Sequence, residues 1–518
     1  MLIPQRFHRT VPIIIILFLC VFLLSSDRFR HVAVSSSNTL TNKIAAGTSS
    51  SSSSSQPLYK SPAVLEEEAK YNTPPPPANP AALRPPLEPG ACSPDIDFLR
   101  RPELALSDNI IYSRRCIHPQ IDPAVDRDAI TKLDRPLVTE KTTIDLNDCR
   151  NVASLPCDPL VLPVPPPYPA HQTFSHFLFG VATYHDRLLE ALPAFDHWLA
   201  HSDAPLIAVI VDHADHDLRA LEALFATHAI TLVCVPGEPS LTIDQNHFIT
   251  LRPTVQNIRP ETRWVGILDD DTFFPSFAAL SDALAAYDHT KEVWLGQLSE
   301  DFYSVRSWGF FAYGGAGVFL SVPLAQKLEP FQEQCLEEAA LPSGDGMLRD
   351  CVYYHSKTKL TLVPGLHQQD MRGDLSGFFE SGLKALSLHH WKSWYEEPVA
   401  KIAEVTEICG DCLLQRFQFG DDTMLANGYS IAMYRKGLKD LNLDYMEATW
   451  NQHGPEFDFS IGPLRPALKK DEKRSYRLKD AEMLSDGRLR QIYVYRRDWT
   501  SGEAMDEVVE LLWHPPKQ

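Results

Sequence analysis

Between residues 174 and 268, short apolar runs alternate with stretches of helical spacing, and this alternation limits the fold more than any other feature of the chain. Runs at 177–183, 206–211, 230–235 and 264–268 have the length of strands and the continuous hydrophobicity of strands buried on both faces. Over 186–199, Leu188, Leu189, Leu192, Phe195 and Leu199 recur at helical spacing, 218–228 follows the same period, and 245–259 is partly helical in pattern despite Pro253. Such alternation predicts an α/β domain with a mostly parallel central sheet, which binds ligands at the carboxyl ends of its strands.

The run at 264–268 ends in Asp269, Asp270 and Asp271, followed by Phe273 and Phe274. Three adjacent carboxylates beside a core cannot all remain charged and unpaired. A solvated acidic turn is one resolution. A bound Mn²⁺ or Mg²⁺ is the other, and the position at a strand's carboxyl end favours it. The formal net charge of −19 argues against nucleic acid as a partner and gives no general attraction for anions. Neither G-x-G-x-x-G after the first strand nor G-x-x-x-x-G-K-S/T occurs. A nucleotide would therefore depend on a local cation for its diphosphate.

Further on, Gly314, Gly315 and Gly317 follow a run of aromatic residues, Trp308 to Tyr313. They read either as a close approach of backbone to a ligand or as a tight turn into a strand. Cys335 and Cys351 bracket Ser343-Gly344-Asp345-Gly346, and a bridge between them would contribute about 3 kcal/mol and fix Asp345. An exposed Asp between glycines is a candidate general base or a turn residue. His367 and Asp370 come next. The segment 386–391 alternates like a strand, which places His389 and His390 on opposite faces, one of them able to reach a metal. Cys409-Gly410-Asp411-Cys412 reads as a local or partner disulfide rather than a zinc site.

The ends of the chain address its location. A basic tail (1–10) precedes an apolar segment at 11–26, read as an uncleaved signal-anchor, with a cleaved signal peptide as the alternative. Its 16 residues span roughly 24 Å as a helix, which suits the thin membranes of the early secretory pathway. Residues 27–91 are Ser- and Pro-rich and read as a stem. Residues 92–169 read as a loop-rich region stapled by cysteines and closed by a proline-rich linker at 162–169, 170–400 as the catalytic domain, and 401–518 as its β-rich extension. Lys469 to Arg474 reads as a solvated charged loop. Ten cysteines, nine of them beyond the anchor, fit an oxidising lumen, and the odd one leaves room for a disulfide-linked or other homodimer.

Taken in order, Asp269-Asp270-Asp271, Gly314-Gly315-Ala316-Gly317, Gly344-Asp345-Gly346, Gly365-Leu366-His367-Gln368-Gln369-Asp370 and Ser387-Leu388-His389-His390 resemble the Fringe-related β1,3-glycosyltransferases (glycosyltransferase family 31-like), and more narrowly their plant and fungal branch. The resemblance covers roughly residues 171–434. It implies a GT-A-type fold and a Golgi, single-pass type II membrane protein. The implied activity is inverting transfer from a UDP-sugar, with Mn²⁺ or Mg²⁺, to a hydroxyl of a glycan, glycoprotein or glycolipid. It also implies roles. Asp271 is a direct metal ligand, Asp269 faces the metal or the ribose, and His389 or His390 is the second protein ligand, strand parity favouring His390. Asp345 is the base, and Arg187, Asp270, Gly314 and Gly315 lie near the nucleotide. Relatives often carry two acids at the base position, whereas here Gly346 follows Asp345. A glycosidase would need a second acid flanking the bond, and none is apparent. A non-catalytic binding relative of the same fold and a metal-dependent phosphohydrolase are the competing expectations.

Overall fold

The computed structural model describes residues 92–516 except 94–95, 150–151, 153–156, 170–171, 452–458 and 498–504. The expected cytoplasmic tail, anchor and stem lie outside the described residues. Among the described residues no helix is long and apolar enough to cross a membrane.

The α/β architecture is present. A seven-stranded sheet runs in the order Leu360–Leu362, Trp294–Gly296, Val318–Ser321, Trp264–Leu268, Phe177–Thr183, Leu206–Ile210, Leu232–Pro236. Four of its six pairings are parallel; Val318–Ser321 runs antiparallel to both neighbours. Phe177–Thr183 is the first strand in chain order, and the chain adds Leu206–Ile210 on one side of it and Trp264–Leu268 on the other. The crevice at a topological switch of this kind is where open α/β sheets bind ligands. The three aspartates follow Leu268 directly into it.

Burial explains why that turn is rigid. Phe273 and Phe274 are fully buried. Phe274 packs edge-on against Trp198 of the helix His185–Leu199, with ring centroids 4.9 Å apart. Burying each phenylalanine is worth about 1.5–3 kcal/mol, so the carboxylates are held by the core beneath them. On the facing side, helix Ile243–Ile249 starts with a capping box between Thr242 and Gln245. Helix Gly344–His355 starts at Ser343, whose hydroxyl accepts from the Gly346 N–H, and the Cys335–Cys351 disulfide ties it to helix Gln332–Glu338.

The second sheet has ten strands and corrects the expectation for 92–169. That region is not a loop-rich appendage. Its strand Asn109–Ile121 lies in parallel beside the last strand, Asp506–Trp513, from Ile110 opposite Asp506 to Ile117 opposite Trp513. Residues 162–164 of the expected linker belong to strand Asp158–Val164, which pairs with the other end of Asn109–Ile121. Arg114 and Arg115 hid this strand, because their acidic partners, Glu510 and Asp158, are remote in sequence. Around them stand Thr423–Ala426, Ser430–Tyr434, Lys473–Met483 and Leu489–Tyr495, the expected β-rich extension. Lys473, read as part of a solvated loop, is instead a strand residue buried against Glu380 and Glu447. Disulfides join Cys92–Cys149, Cys116–Cys157, Cys335–Cys351 and Cys409–Cys412, and among the described residues Cys234 is the free cysteine.

Candidate functional site

The three aspartates divide by partner. Asp270 is buried. Arg187, in the first turn of helix His185–Leu199, grips its carboxylate with Nε at 2.7 Å and with a second, shorter contact from Nη2. The Thr183 hydroxyl donates to it as well, and Lys392 Nζ stands 3.6 Å away. A bidentate guanidinium pair is strong and geometrically demanding. Asp270 and Arg187 therefore occupy each other, which makes them the brace of the strand end.

Asp269 and Asp271 converge on one imidazole. His389 Nε2 lies 2.9 Å from Asp271 Oδ1 and 3.3 Å from Asp269 Oδ2. His389 Nδ1 is 2.9 Å from the Gln368 carbonyl. A carbonyl can only accept, so Nδ1 carries the proton and Nε2 faces the carboxylates. Burial alone would raise the Asp271 pKa and lower that of His389, but their mutual attraction reverses both: Asp271 is held far below the usual carboxylate range and His389 well above the usual imidazole range. Protonated, His389 neutralises part of the paired acids' charge. Deprotonated, its Nε2 offers a lone pair beside two hard oxygens, a donor set suited to a divalent cation. The ligand atoms of Asp271, His389 and His390 all lie within 4.8 Å of one another.

The opposite-face reading of the two histidines does not hold. The segment makes a single bridge, Leu388 to Phe273, and His390 adopts a left-handed conformation with φ +59°. That reversal brings both rings to one side, with centroids 3.7 Å apart. His390 is already engaged at both nitrogens: Nε2 with Asp370 at 3.1 Å and Nδ1 with Ser393 at 3.0 Å. Its ring stacks on Trp394 at 3.8 Å. His367 lies beside Glu300, 2.9 Å away. His389 is thus the imidazole in direct contact with both aspartates, while His390, whose ligand atom also lies within 4.8 Å of that of Asp271, is held by Asp370 and Ser393.

Asp345 is not on an exposed turn. It occupies the first turn of helix Gly344–His355, its side chain 18% exposed. Its Oδ2 accepts the Gly314 N–H at 2.7 Å. Oδ1 faces His247 Nε2 at 3.4 Å, beyond good hydrogen-bond geometry, and both atoms are buried without another partner. Burial pushes the Asp345 pKa up, more than His247 lowers it. Burial acts to lower the His247 pKa, yet Asp345, Asp269 and Asp244 outweigh it and hold the imidazole at about 9.

His247 also reaches toward Asp269, Nδ1 to Oδ1 at 3.5 Å, so it stands between the candidate base and the aspartate pair. Nothing in the sequence singled it out. A lone histidine on a short helix gives no signal until the fold brings Asp269 and Asp345 to it.

The glycines serve the site's own side chains. A Cβ at Gly315 would lie 2.1 Å from the His389 ring, and one at Gly314 would lie 2.8 Å from Asp269 Oδ1 and 3.0 Å from Asp345 Oδ1. The turn Gly314–Ala316 is therefore a floor on which His389, Asp269 and Asp345 rest. It is stitched to the histidine segment through Gln368 Oε1, which accepts the Ala316 N–H at 2.9 Å, and through Ser387, whose hydroxyl donates to the Ala316 carbonyl at 2.8 Å.

One family model, described as "Protein of unknown function, DUF604", matches residues 305–404. That span holds Gly314, Gly315, Asp345, His389 and His390 but not the aspartate run. No curated protein matches the chain. Among solved structures, the chain is similar to mouse xyloside xylosyltransferase 1 in its apo form (10% identity, TM-score 0.26, covering 37% of this chain and 85% of that one). It is also similar to 4-diphosphocytidyl-2C-methyl-D-erythritol synthase from Anaerococcus prevotii (11% identity, TM-score 0.26, 36% and 87%). A third is the mannosyltransferase PcManGT from Pyrobaculum calidifontis in complex with GDP-Man and Mn²⁺ (13% identity, TM-score 0.23, 42% and 62%).

Proposed function

We propose that the chain is a metal-dependent, inverting glycosyltransferase of the Fringe-related, GT-A type. It moves a sugar from a nucleotide donor, UDP-linked, to a hydroxyl of a glycan or glycoconjugate in β1,3 linkage. The observation that carries this reading is the pairing of two different acid sites across one glycine turn. Asp345 is a single half-buried carboxylate on a backbone N–H, and Asp269 and Asp271 are joined at His389 Nε2.

Each part has a task. The acceptor hydroxyl attacks the anomeric carbon from the face opposite the leaving group. A carbon–oxygen bond to the acceptor forms, the bond from the anomeric carbon to the diphosphate oxygen breaks, and the hydroxyl proton passes to Asp345. The Gly314 N–H holds one carboxylate oxygen and leaves Oδ1 for that proton. Asp271, Asp269 and His389 would hold Mn²⁺ or Mg²⁺, which neutralises the charge growing on the diphosphate. Gln368 fixes the His389 tautomer, and Arg187 keeps Asp270 out of the way. Positioning of donor and acceptor supplies much of the remaining rate.

We place the enzyme in the Golgi membrane as a single-pass type II protein with its catalytic body in the lumen. Four disulfides support an oxidising compartment, and the apolar segment at 11–26 supplies the anchor. The test is UDP release by the full chain with Mn²⁺ across a panel of UDP-sugars, with and without glycoside acceptors. Release from one donor, abolished by chelator and by Asp345→Asn, establishes the reaction. Tight UDP binding with no turnover on any acceptor would instead identify a binding relative of the same fold.

A further inference from the structure

We propose that Arg372 is the cation that binds the donor's diphosphate, and that Trp394 holds its guanidinium in place for that task. This rests on the transferase reading above and names a residue that recognises the donor.

Charge calls for such a group. The two carboxylates of Asp269 and Asp271 cancel the charge of a divalent ion held between them, so a diphosphate arriving beside it brings negative charge that needs a second cation. The chain as a whole gives no help, with a formal net charge of −19. Other cations around the site are already committed. Arg187 is gripped by Asp270. Lys392 Nζ donates to the Arg187 carbonyl at 2.9 Å and stands 3.6 Å from Asp270. Arg349 donates to Asp350 through both Nε and Nη2. His247 is shared between Asp345 and Asp269. Arg372 differs from all of these. Among the described residues no carboxylate pairs with it and no acceptor takes its guanidinium N–H groups; the guanidinium lies over the Trp394 ring, 4.5 Å from the centroid.

Its place follows from a stack of rings. His389, in contact with both aspartates, is 2% exposed. His390 lies 3.7 Å from it and is 8% exposed. Trp394 lies 3.8 Å from His390, at 7° to its plane, and is 39% exposed. The rings thus climb from the floor of the site to solvent, and Arg372, half-buried, stands against the outermost. Both sides of that contact are anchored to the site. The Trp394 N–H donates to the His390 carbonyl at 3.1 Å. Arg372 follows the segment whose Gln368 carbonyl, Gln369 side chain and Asp370 carboxylate hold His389 and His390. A guanidinium stacked by its face keeps its N–H edge for another partner, and that planar edge matches two oxygens of a phosphate. The stack also restricts the long side chain beforehand, so less freedom is lost when the phosphate is met.

The experiment measures binding without turnover. UDP is titrated calorimetrically into the full chain saturated with Mn²⁺, for the unaltered protein and for Arg372→Gln, Arg372→Lys and Trp394→Phe. Mn²⁺ alone is titrated into each, as the control for an intact metal site. UDP affinity is expected to fall about tenfold to hundredfold in Arg372→Gln. It should fall less in Arg372→Lys, which keeps the charge without the fork, and stay within about threefold in Trp394→Phe, which keeps a ring under the guanidinium. Mn²⁺ affinity stays constant throughout. UDP affinity undiminished in Arg372→Gln overturns this assignment and leaves the transferase reading standing. Loss of Mn²⁺ binding together with UDP binding in Arg372→Gln also overturns it, because Arg372 would then only clamp the His390 stack. Absence of UDP binding by the unaltered chain removes the transferase reading and this assignment with it.

Discussion

Glu510, buried in the second sheet, and Asp345, half-buried beside the first, are acids that keep different company. Glu510 is fully buried and meets two guanidinium groups, Arg114 at 2.6 Å and Arg490 at 3.0 Å, and also accepts from the Tyr112 hydroxyl. Asp345 meets one backbone N–H and an imidazole set too far away to satisfy it. Arginine cannot lose its proton in a protein, so an acid paired with it is permanently neutralised. An imidazole can, so acids paired with imidazoles keep room for a proton or a cation. The same contrast runs through the aspartate triplet: Asp270 is held by Arg187, whereas Asp269 and Asp271 share His389. Partner type separates scaffold from site more sharply than burial does.

The contrast can be broken at several points. The largest effect is expected for Asp345→Asn: transfer falls by about 10²–10⁴-fold, while calorimetric titration of Mn²⁺ and UDP is kept. Surviving transfer would remove Asp345 from the role of base. Glu510→Ala should do the reverse. It strands two buried cations and costs about 3–5 kcal/mol in urea unfolding, with specific activity of the folded fraction unchanged.

Within the triplet, Asp271→Ala should eliminate the heat of Mn²⁺ binding. Asp270→Asn should preserve that heat and lower stability by about 1–3 kcal/mol. Equal metal loss in both variants would erase the distinction between them. His247→Asn sharpens the positioning argument, because asparagine cannot bridge Asp269 and Asp345 together. A fall of about tenfold in kcat with little change in donor KM is expected; unaltered kinetics would leave His247 a packing residue.

The smallest effect concerns acid. Burial alone would raise the Glu507 pKa, but Lys141, Tyr476 and Arg474 hold it below its ordinary value. The resulting stabilisation is complete above the unfolded pKa, near 4.3, and is lost as pH falls through the lower folded value. The unfolding midpoint should therefore decline less steeply between about pH 4.5 and 3 in Glu507→Gln than in the unaltered chain; parallel curves would refute this.

What could be read beforehand follows from whether the physics is local. Strands at 177–183 and 264–268 were legible because their apolar runs are uninterrupted, and both form with those bounds. The aspartate run, Asp345 and the histidine pair were legible as chemistry, since acids and imidazoles at a strand's end are costly unless used. Partnership was not legible. Arg187 as the brace of Asp270, His247 as the bridge, and the φ of +59° at His390 arise only when distant segments meet. Asn109–Ile121 failed as a strand for the same reason, because a buried arginine looks like a loop residue until its acid is found.

That strand sets a timetable. Ile110 pairs with Asp506, 396 residues later (506 − 110). At about 5–20 residues per second, synthesis leaves Asn109–Ile121 waiting about 20–80 s for the neighbour that completes its sheet. Until then one edge stands open, the condition under which strands pair with the wrong chain. Arg114 sits in the middle of that edge, its partner Glu510 not yet made, and charge on an open edge deters such pairing. One of the residues that disguise the strand on paper, Arg114, is thus its guard during synthesis, and loss of the last dozen residues would leave that guard posted indefinitely.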